Sequence, residues 1–194
     1  MDNKFKLIID SFGSDRFKFN ERLENYTSLN IGGPAKIFFI AFTTSELVKI
    51  VKMCRELNLP FFIFGTGSKI MISENGFPGL VIKNRTKNIQ IVSVKGKVTK
   101  YGIGVEEALI EVDSGVSTNK FIEFLETQAL SSEVFKGISG SIGGALFLSK
   151  FLQNAVKSIK VLDLDCEIEQ VGSLELNAKK HIILSAVFKV KAKN

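Results

Sequence analysis

Two stretches of the sequence are almost bare of side chains, and both residue patterns suit an anion. The first is Gly65-Thr66-Gly67-Ser68-Lys69, directly after the apolar run Leu59 to Phe64. Glycine reaches positive φ without steric cost, and successive N–H groups in such a loop form a nest for phosphate oxygens. Ser68 adds a hydroxyl donor and Lys69 a positive charge. The order is not that of a P-loop, which needs Gly-Lys-Ser/Thr, nor that of a GxGxxG fingerprint. The second stretch is "GISGSIGGA", with Gly137, Gly140, Gly143 and Gly144. A helix-like segment, "ALFLSKFL", overlaps its end, and a helix start preceded by glycines accepts phosphate well. Each stretch alone also has a structural reading. The first works as a glycine-rich turn, the second as close backbone packing against a sheet. Two such stretches in one chain favour an extended diphosphate ligand.

The other reactive side chains form no such pattern. His181 is the only histidine; it precedes an apolar strand without a partner motif and reads as structural or surface. Asp163, Asp165, Glu167 and Glu169 alternate with Leu162, Leu164, Cys166 and Ile168, which predicts a strand with its acids on one solvated face. Ser149 and Ser158 have no base placed beside them by sequence, so neither is nominated as an acid. Cys54 and Cys166 lack metal-ligand spacing and sit in apolar runs, as small core residues of a reducing compartment do. No metal site and no catalytic residue is nominated.

Positioning the two bare stretches requires a folded core. The chain has 194 residues, 45% hydrophobic and 24% charged, which reads as soluble and globular. Net charge is +6 with scattered lysines, so neither the stripe nor the motif expected of a nucleic-acid binder is present. The N-terminus lacks an apolar leader and no run reaches membrane-spanning length, so the cytoplasm is the default and no membrane partner is expected. Residues 1–24 read as a short helix and connector. A Gly-Gly-Pro turn then precedes a strand near Lys36 to Phe42. "TTSELVKIVKMCRELN" reads as a capped helix with Leu47, Ile50, Val51, Cys54 and Leu57 on one face. "PFFIF" and "GLVIK" read as buried strands, so strand, helix and strand imply a parallel pair with a crossover. After about residue 85 the pattern changes to a hairpin around Lys95-Gly96-Lys97, a strand in "EALIEVDSG", a helix in "STNKFIEFLETQAL", and strands in "KSIKVLDLDCEIEQV" and "KHIILSAVFKV". This half reads as an α+β lobe with an antiparallel sheet.

Five stretches in order carry a family resemblance: "NYTSLNIGGPAKIFFI", "FGTGSKIMISENGFPGLVIKN", "VDSGVSTNKFIEFLETQAL", "VFKGISGSIGGAL" and "IILSAVFKV". Together they cover most of residues 25–190. The chain resembles the UDP-N-acetylenolpyruvoylglucosamine reductase (MurB) family, whose flavin-binding module is of the vanillyl-alcohol-oxidase type. The resemblance implies an α+β, two-lobed FAD-binding fold: a small βαβ lobe, and a larger lobe with an antiparallel sheet and flanking helices. It implies an extension at 1–24, a first lobe at 25–84, a second at 85–194, and no C-terminal substrate domain. Gly65, Thr66, Gly67, Ser68, Lys69 and Ile70 would line the pyrophosphate loop. Gly137, Ser139, Gly140, Ser141, Gly143 and Gly144 would share the cofactor role. The implied reaction is NADPH-dependent reduction of the enolpyruvyl ether of a UDP-sugar, in peptidoglycan precursor synthesis.

The sequence departs from the family in several places. The family has Asn at Lys69 and Pro at Ser139. It continues after Gly-Gly-Ala with Asn-Ala-Gly-Ala-Tyr-Gly, where this chain reads "LFLSKFLQNA". A Tyr-Arg segment is replaced by Lys179-Lys180. The family's general-acid serine lies in a third domain beyond about residue 190. The resemblance therefore implies either a reductase completed by a partner chain or an FAD-binding remnant without reductase activity.

Overall fold

The run Lys36–Ala41 has no polar face, since adjacent Phe38 and Phe39 are both buried. Its strand must be covered on both sides, as parallel-sheet strands are. The computed structural model of the protein, which describes residues 3–100 and 102–193, covers it in that way. The chain divides after Thr86 into two compact units.

In the first unit, β2 (Pro34–Ala41) and β3 (Phe61–Phe64) both pair in parallel with β4 (Phe77–Asn84), which lies between them. Antiparallel β1 (Phe17–Arg22) completes the order β1-β2-β4-β3. Helix α2 (Thr44–Glu56) joins β2 to β3. Its first turn is fixed by Thr43, whose Oγ1 accepts from the Glu46 N–H at 3.1 Å. Its buried face is Leu47, Ile50, Val51 and Cys54, and burial pushes the Cys54 thiol up to about 12. Helix α1 (Asn3–Phe12) buries Phe5, Ile8 and Ile9, and the Phe12 and Phe17 rings meet Phe39 at 4.9 and 5.1 Å. Across the sheet, Phe38, Phe64 and Val81 pack with Leu23, Tyr26, Ile70 and Ile72. Helices thus cover one face; a turn and the β3–β4 connection cover the other.

Two sequence expectations change here. The stretch read as helix and connector also holds β1; only Phe17 of its six residues is buried, so no alternation marks the strand. The expected parallel pair is not adjacent, because β4 inserts between β2 and β3.

In the second unit, β5 (Ile89–Thr99), β6 (Gly102–Asp113), β7 (Val156–Leu162), β8 (Ile168–Val171) and β9 (Ile182–Lys191) form an antiparallel sheet in the order β5-β6-β9-β7-β8. Helix α3 (Thr118–Thr127) starts at Ser117, whose Oγ accepts from Lys120 N–H at 3.3 Å. Two short helices follow, α4 (Ile142–Leu148) and α5 (Lys150–Ala155). Ser149 caps α5, accepting from Leu152 N–H at 3.2 Å, which gives that serine a structural role. The centre of the core is a ring trio. Phe121 meets Phe135 at 4.8 Å and Phe188 at 5.6 Å, and Phe135 meets Phe188 at 5.1 Å.

Two further expectations are corrected. The β5–β6 hairpin does not turn at Lys95-Gly96-Lys97. Gly96 stays in β5 opposite Val105, at a register shift, where a glycine marks a bulge rather than a turn. The alternating acids do not share one strand face. Asp163 to Glu167 form the connection from β7 to β8, closed by Asp163 N–H to Glu167 O at 3.0 Å and Glu167 N–H to Asp163 Oδ1 at 2.8 Å. An aspartate that accepts from a backbone N–H ahead of it favours a turn over strand periodicity. Cys166 sits in this turn at φ 65°, outside the core. Among the described residues, no helix is long and apolar enough to cross a membrane.

Phe121→Ala removes the ring shared by the other two. We expect a loss of about 3–5 kcal/mol in chemical denaturation of the protein.

Candidate functional site

Parallel strands place their carboxyl ends on one edge, and ligands of open α/β sheets bind outside that edge. In the first unit this edge carries Ala41, Phe64 and Asn84. The Gly65–Ile70 loop leaves the sheet there, directly after Phe64. Its shape is set by backbone crossing backbone. Gly67 has φ +76°, and a Cβ on it would lie 1.9 Å from the Tyr26 carbonyl oxygen. The Gly67 carbonyl accepts from Ser28 N–H at 3.1 Å. Further along, Gly33 N–H donates to Ser73 O at 2.9 Å, and a Cβ on Gly33 would lie 2.0 Å from Glu74 O. The segment Leu23–Pro34 is therefore a strap laid across the β3–β4 connection.

The strap is itself anchored. Leu23 and Glu24 N–H groups donate to Gly33 and Gly32 carbonyls at 3.1 Å each. The Tyr26 hydroxyl donates to Glu21 Oε1 at 2.5 Å, and Lys18 Nζ donates to both, at 3.0 and 2.9 Å. The hydrogen bond to Tyr26, then that to Glu21, pushes Lys18 up to about 12. The bond from Tyr26 chiefly holds the Glu21 carboxyl below the usual carboxylate range, and burial raises the Tyr26 phenol.

With its carbonyl engaged by the strap, the loop keeps donors unspent. Among the described residues, the N–H groups of Thr66, Gly67, Ser68 and Lys69 donate to no protein acceptor. The Thr66 and Ser68 hydroxyls lie 3.1 Å apart, and Lys69 is exposed. Such a run of free N–H groups is the chemistry of an anion nest. Lys83, which sequence reasoning passed over, lies opposite Phe64 in the β3–β4 register. Its signal in the sequence was a lone lysine closing the apolar "GLVIK" run.

The second glycine stretch is built differently. Ser141 caps α4, its Oγ accepting from Gly144 N–H at 3.4 Å. Ile142 N–H donates to Val116 O at 2.8 Å and Gly143 N–H to Ser114 O at 2.9 Å. The first-turn donors of this short helix are thus already satisfied within the protein. A Cβ on Gly143 would meet Ser114 Cβ at 2.9 Å, so close packing accounts for that glycine. Gly144 differs: it is exposed, and a Cβ would meet only Ser141 Oγ, at an ordinary 3.4 Å. Ahead of the helix, Thr118 ties the segment down. Its N–H donates to Gly140 O at 2.9 Å and its Oγ1 to Ile138 O at 2.6 Å. Gly137 and Ser139 are exposed, and Gly137 and Gly140 have φ +75° and +121°. The structure thus gathers Gly65 to Ile70 in the first unit and Gly137 to Gly144 in the second.

Known proteins resemble this chain in sequence and fold. The FAD binding domain family model matches residues 35–149. A UDP-N-acetylenolpyruvoylglucosamine reductase of Clostridium perfringens is 29% identical over 187 residues, covering 93% of this chain and 58% of the relative. One of Clostridium tetani is 30% identical over 198 residues, covering 94% and 60%. The chain thus spans about three fifths of the length of these curated relatives. The crystal structure of the Thermus caldophilus UDP-N-acetylenolpyruvylglucosamine reductase superposes with TM-score 0.65 at 20% identity, covering 92% of this chain and 62% of that one. This last likeness shows the fold, an α+β arrangement with one mostly parallel and one antiparallel sheet.

Gly67→Ala should destabilise the protein by about 2 kcal/mol or more, because it combines backbone strain with a clash against Tyr26 O. Gly144→Ala should leave thermal stability unchanged or raise it by about 0.5–1 kcal/mol, since alanine favours a helix more than glycine does. Thermal melts of the two variants check both.

Proposed function

The chain belongs to the FAD binding domain family, and from that premise we propose that it is the flavin-binding part of a UDP-N-acetylenolpyruvoylglucosamine reductase. The cofactor is FAD. The proposed reaction is reduction of the enolpyruvyl ether of a UDP-sugar, as the relatives' names suggest, with NADPH as the hydride donor. The observation that carries the reading is the loop at the carboxyl edge of the parallel strands, with its N–H groups unspent.

The loop suits the cofactor on physical grounds. A diphosphate needs several donors from one backbone turn, and Thr66 to Lys69 offer four N–H groups that have no protein acceptor among the described residues. We assign Gly65 and Ile70 to the ends of that turn and the Ser68 hydroxyl as a further donor. In the second unit we assign contact with the cofactor to the exposed rim of Gly137, Ser139 and Gly144, and to Gly140, Ser141 and Gly143 the shaping of the segment that presents that rim. Gly144 supports this most directly: its exposed helix position has room for a side chain, so a closely approaching ligand gives a reason for glycine there. When bound, FAD supplies the hydride chemistry between the nicotinamide and the enolpyruvyl group. No side chain of this chain is assigned the accompanying proton transfer.

The test begins with an absorption spectrum of the purified protein before and after adding FAD. We expect a flavin spectrum that survives gel filtration, and consumption of NADPH that depends on the UDP-enolpyruvyl substrate. Retained FAD without substrate-dependent consumption would leave a flavin-binding module and remove the reductase reading. A protein that cannot be loaded with FAD would remove both.

A further inference from the structure

Two lysines, Lys18 and Lys83, lie on the sheet face that the strap and loop cover; Lys18 is paired with Glu21, whereas among the described residues the Lys83 ammonium has no acidic partner. Lys83 ends the apolar run Gly79–Ile82 on β4, the central parallel strand, at the carboxyl edge from which the loop departs. Its backbone is paired with Phe64 on one side and Ile40 on the other. Residues so paired point to the same face, so Lys83 lies on the face of Phe64 and Tyr26. Its Nζ lies 4.9 Å from the ring centroid of each.

Two aromatic rings partly offset the cost of burying a cation, but they supply no counter-charge. The groups facing Lys83 from the packed elements supply none either. Ile40 and Phe64 are apolar. The Tyr26 hydroxyl is spent on Glu21, whose carboxylate is in turn shared with Lys18. Arg85, further along the same strand end, is a like charge. Burial first, and Arg85 second, push the Lys83 ammonium below the ordinary lysine value. A half-buried cation in this setting is destabilising unless an anion joins it. The same edge carries the four unspent N–H groups of Thr66–Lys69, which also call for an anion.

We propose that Lys83 is a binding residue for the cofactor, its ammonium contacting the diphosphate of the dinucleotide held by the Gly65–Ile70 loop. The inference rests on the FAD reading above and adds to it a residue that neither glycine stretch contains. Tyr26 and Phe64 act as the walls that hold the lysine stem at the edge. The strap thereby serves the site twice, since it brings the Tyr26 carbonyl to Gly67 and the Tyr26 ring to Lys83.

The test is FAD titration, by quenching of flavin fluorescence, of the wild-type protein, Lys83→Met and Lys83→Arg. Thermal melts of the flavin-free proteins report folding. Near neutral pH, Lys83→Met should bind FAD on the order of tenfold more weakly or worse, and Lys83→Arg should keep most of the affinity. Raising the pH through the ordinary lysine range removes the ammonium charge, so the gap between wild type and Lys83→Met should narrow. Affinity of Lys83→Met within twofold of wild type would overturn the inference while leaving the FAD reading intact. An equal loss in both variants, or a gap that stays constant with pH, would assign Lys83 to ring packing alone and overturn it as well. If Lys83→Met does not fold, the wild-type pH series decides, and affinity constant throughout the ordinary lysine range overturns it. A wild-type protein that binds no FAD at all would instead reject the reading beneath.

Discussion

The first unit depends on a place where two backbones touch with no side chain between them. The Tyr26 carbonyl stands where a Cβ of Gly67 would be, and the Glu74 carbonyl where a Cβ of Gly33 would be. These crossings lock the strap to the β3–β4 connection. They are held by Ser28 N–H to Gly67 O and Gly33 N–H to Ser73 O, at 3.1 and 2.9 Å. A connection of this length without helix or strand would ordinarily lose much conformational entropy on ordering. Here its carbonyls are pinned from one side by the strap, while Ile70 and Ile72 are packed into the cluster around Phe38. The N–H groups of Thr66–Lys69 are thereby left unspent at the strand edge. The same constraint that stabilises the turn also prepares the proposed anion site.

The two glycine stretches look alike in sequence and differ in physics. In the first, Gly67 serves the strap crossing and the donors around it remain free. In the second, the α4 donors are consumed by Val116, Ser114 and Ser141, and Gly143 is needed for packing on Ser114. A simple phosphate-on-helix reading of "GISGSIGGA" therefore does not describe how that stretch is built. What remains open to a ligand there is the exposed rim of Gly137, Ser139 and Gly144, approached from outside the helix start.

Much of this was legible in the residues because it follows from local rules. The Thr-Thr-Ser run ahead of α2 announced a capped helix, the Lys36–Phe42 run announced a strand, and "GLVIK" announced a buried one. The bare stretches announced themselves by composition. What was not legible depended on partners distant in the chain. β1 buries one phenylalanine and gains its identity from pairing with β2. β4 enters between β2 and β3, an order no local pattern records. Asp163 to Glu167 mimicked a strand by period two until the Asp163 carboxylate closed a turn with Glu167. Gly67 was visible as a glycine, but its need for Tyr26 was not, because a backbone crossing leaves no trace in side-chain pattern. Lys83 was hidden for the same reason: only the sheet order puts it beside Phe64 and Tyr26.

The proposed site, made largely of backbone donors, would also explain how the chain can differ from these relatives at about seven positions in ten and keep a recognisable module. Side-chain sites fail when one residue changes, since the reacting atom leaves with it. A nest fails only when φ changes or a Cβ intrudes. Lys69 and Ser139, which stand where the resembled family has asparagine and proline, do not remove neighbouring N–H groups from the turn. The sensitive positions are instead those whose side chains are absent or whose rings set the walls. In the first unit these are Gly33, Gly67, Tyr26 and Phe64, and they form one connected set through Ser28 and Lys83. On the proposed reading, binding of the cofactor is thus tied to the integrity of the strap more closely than to any single polar side chain of the loop.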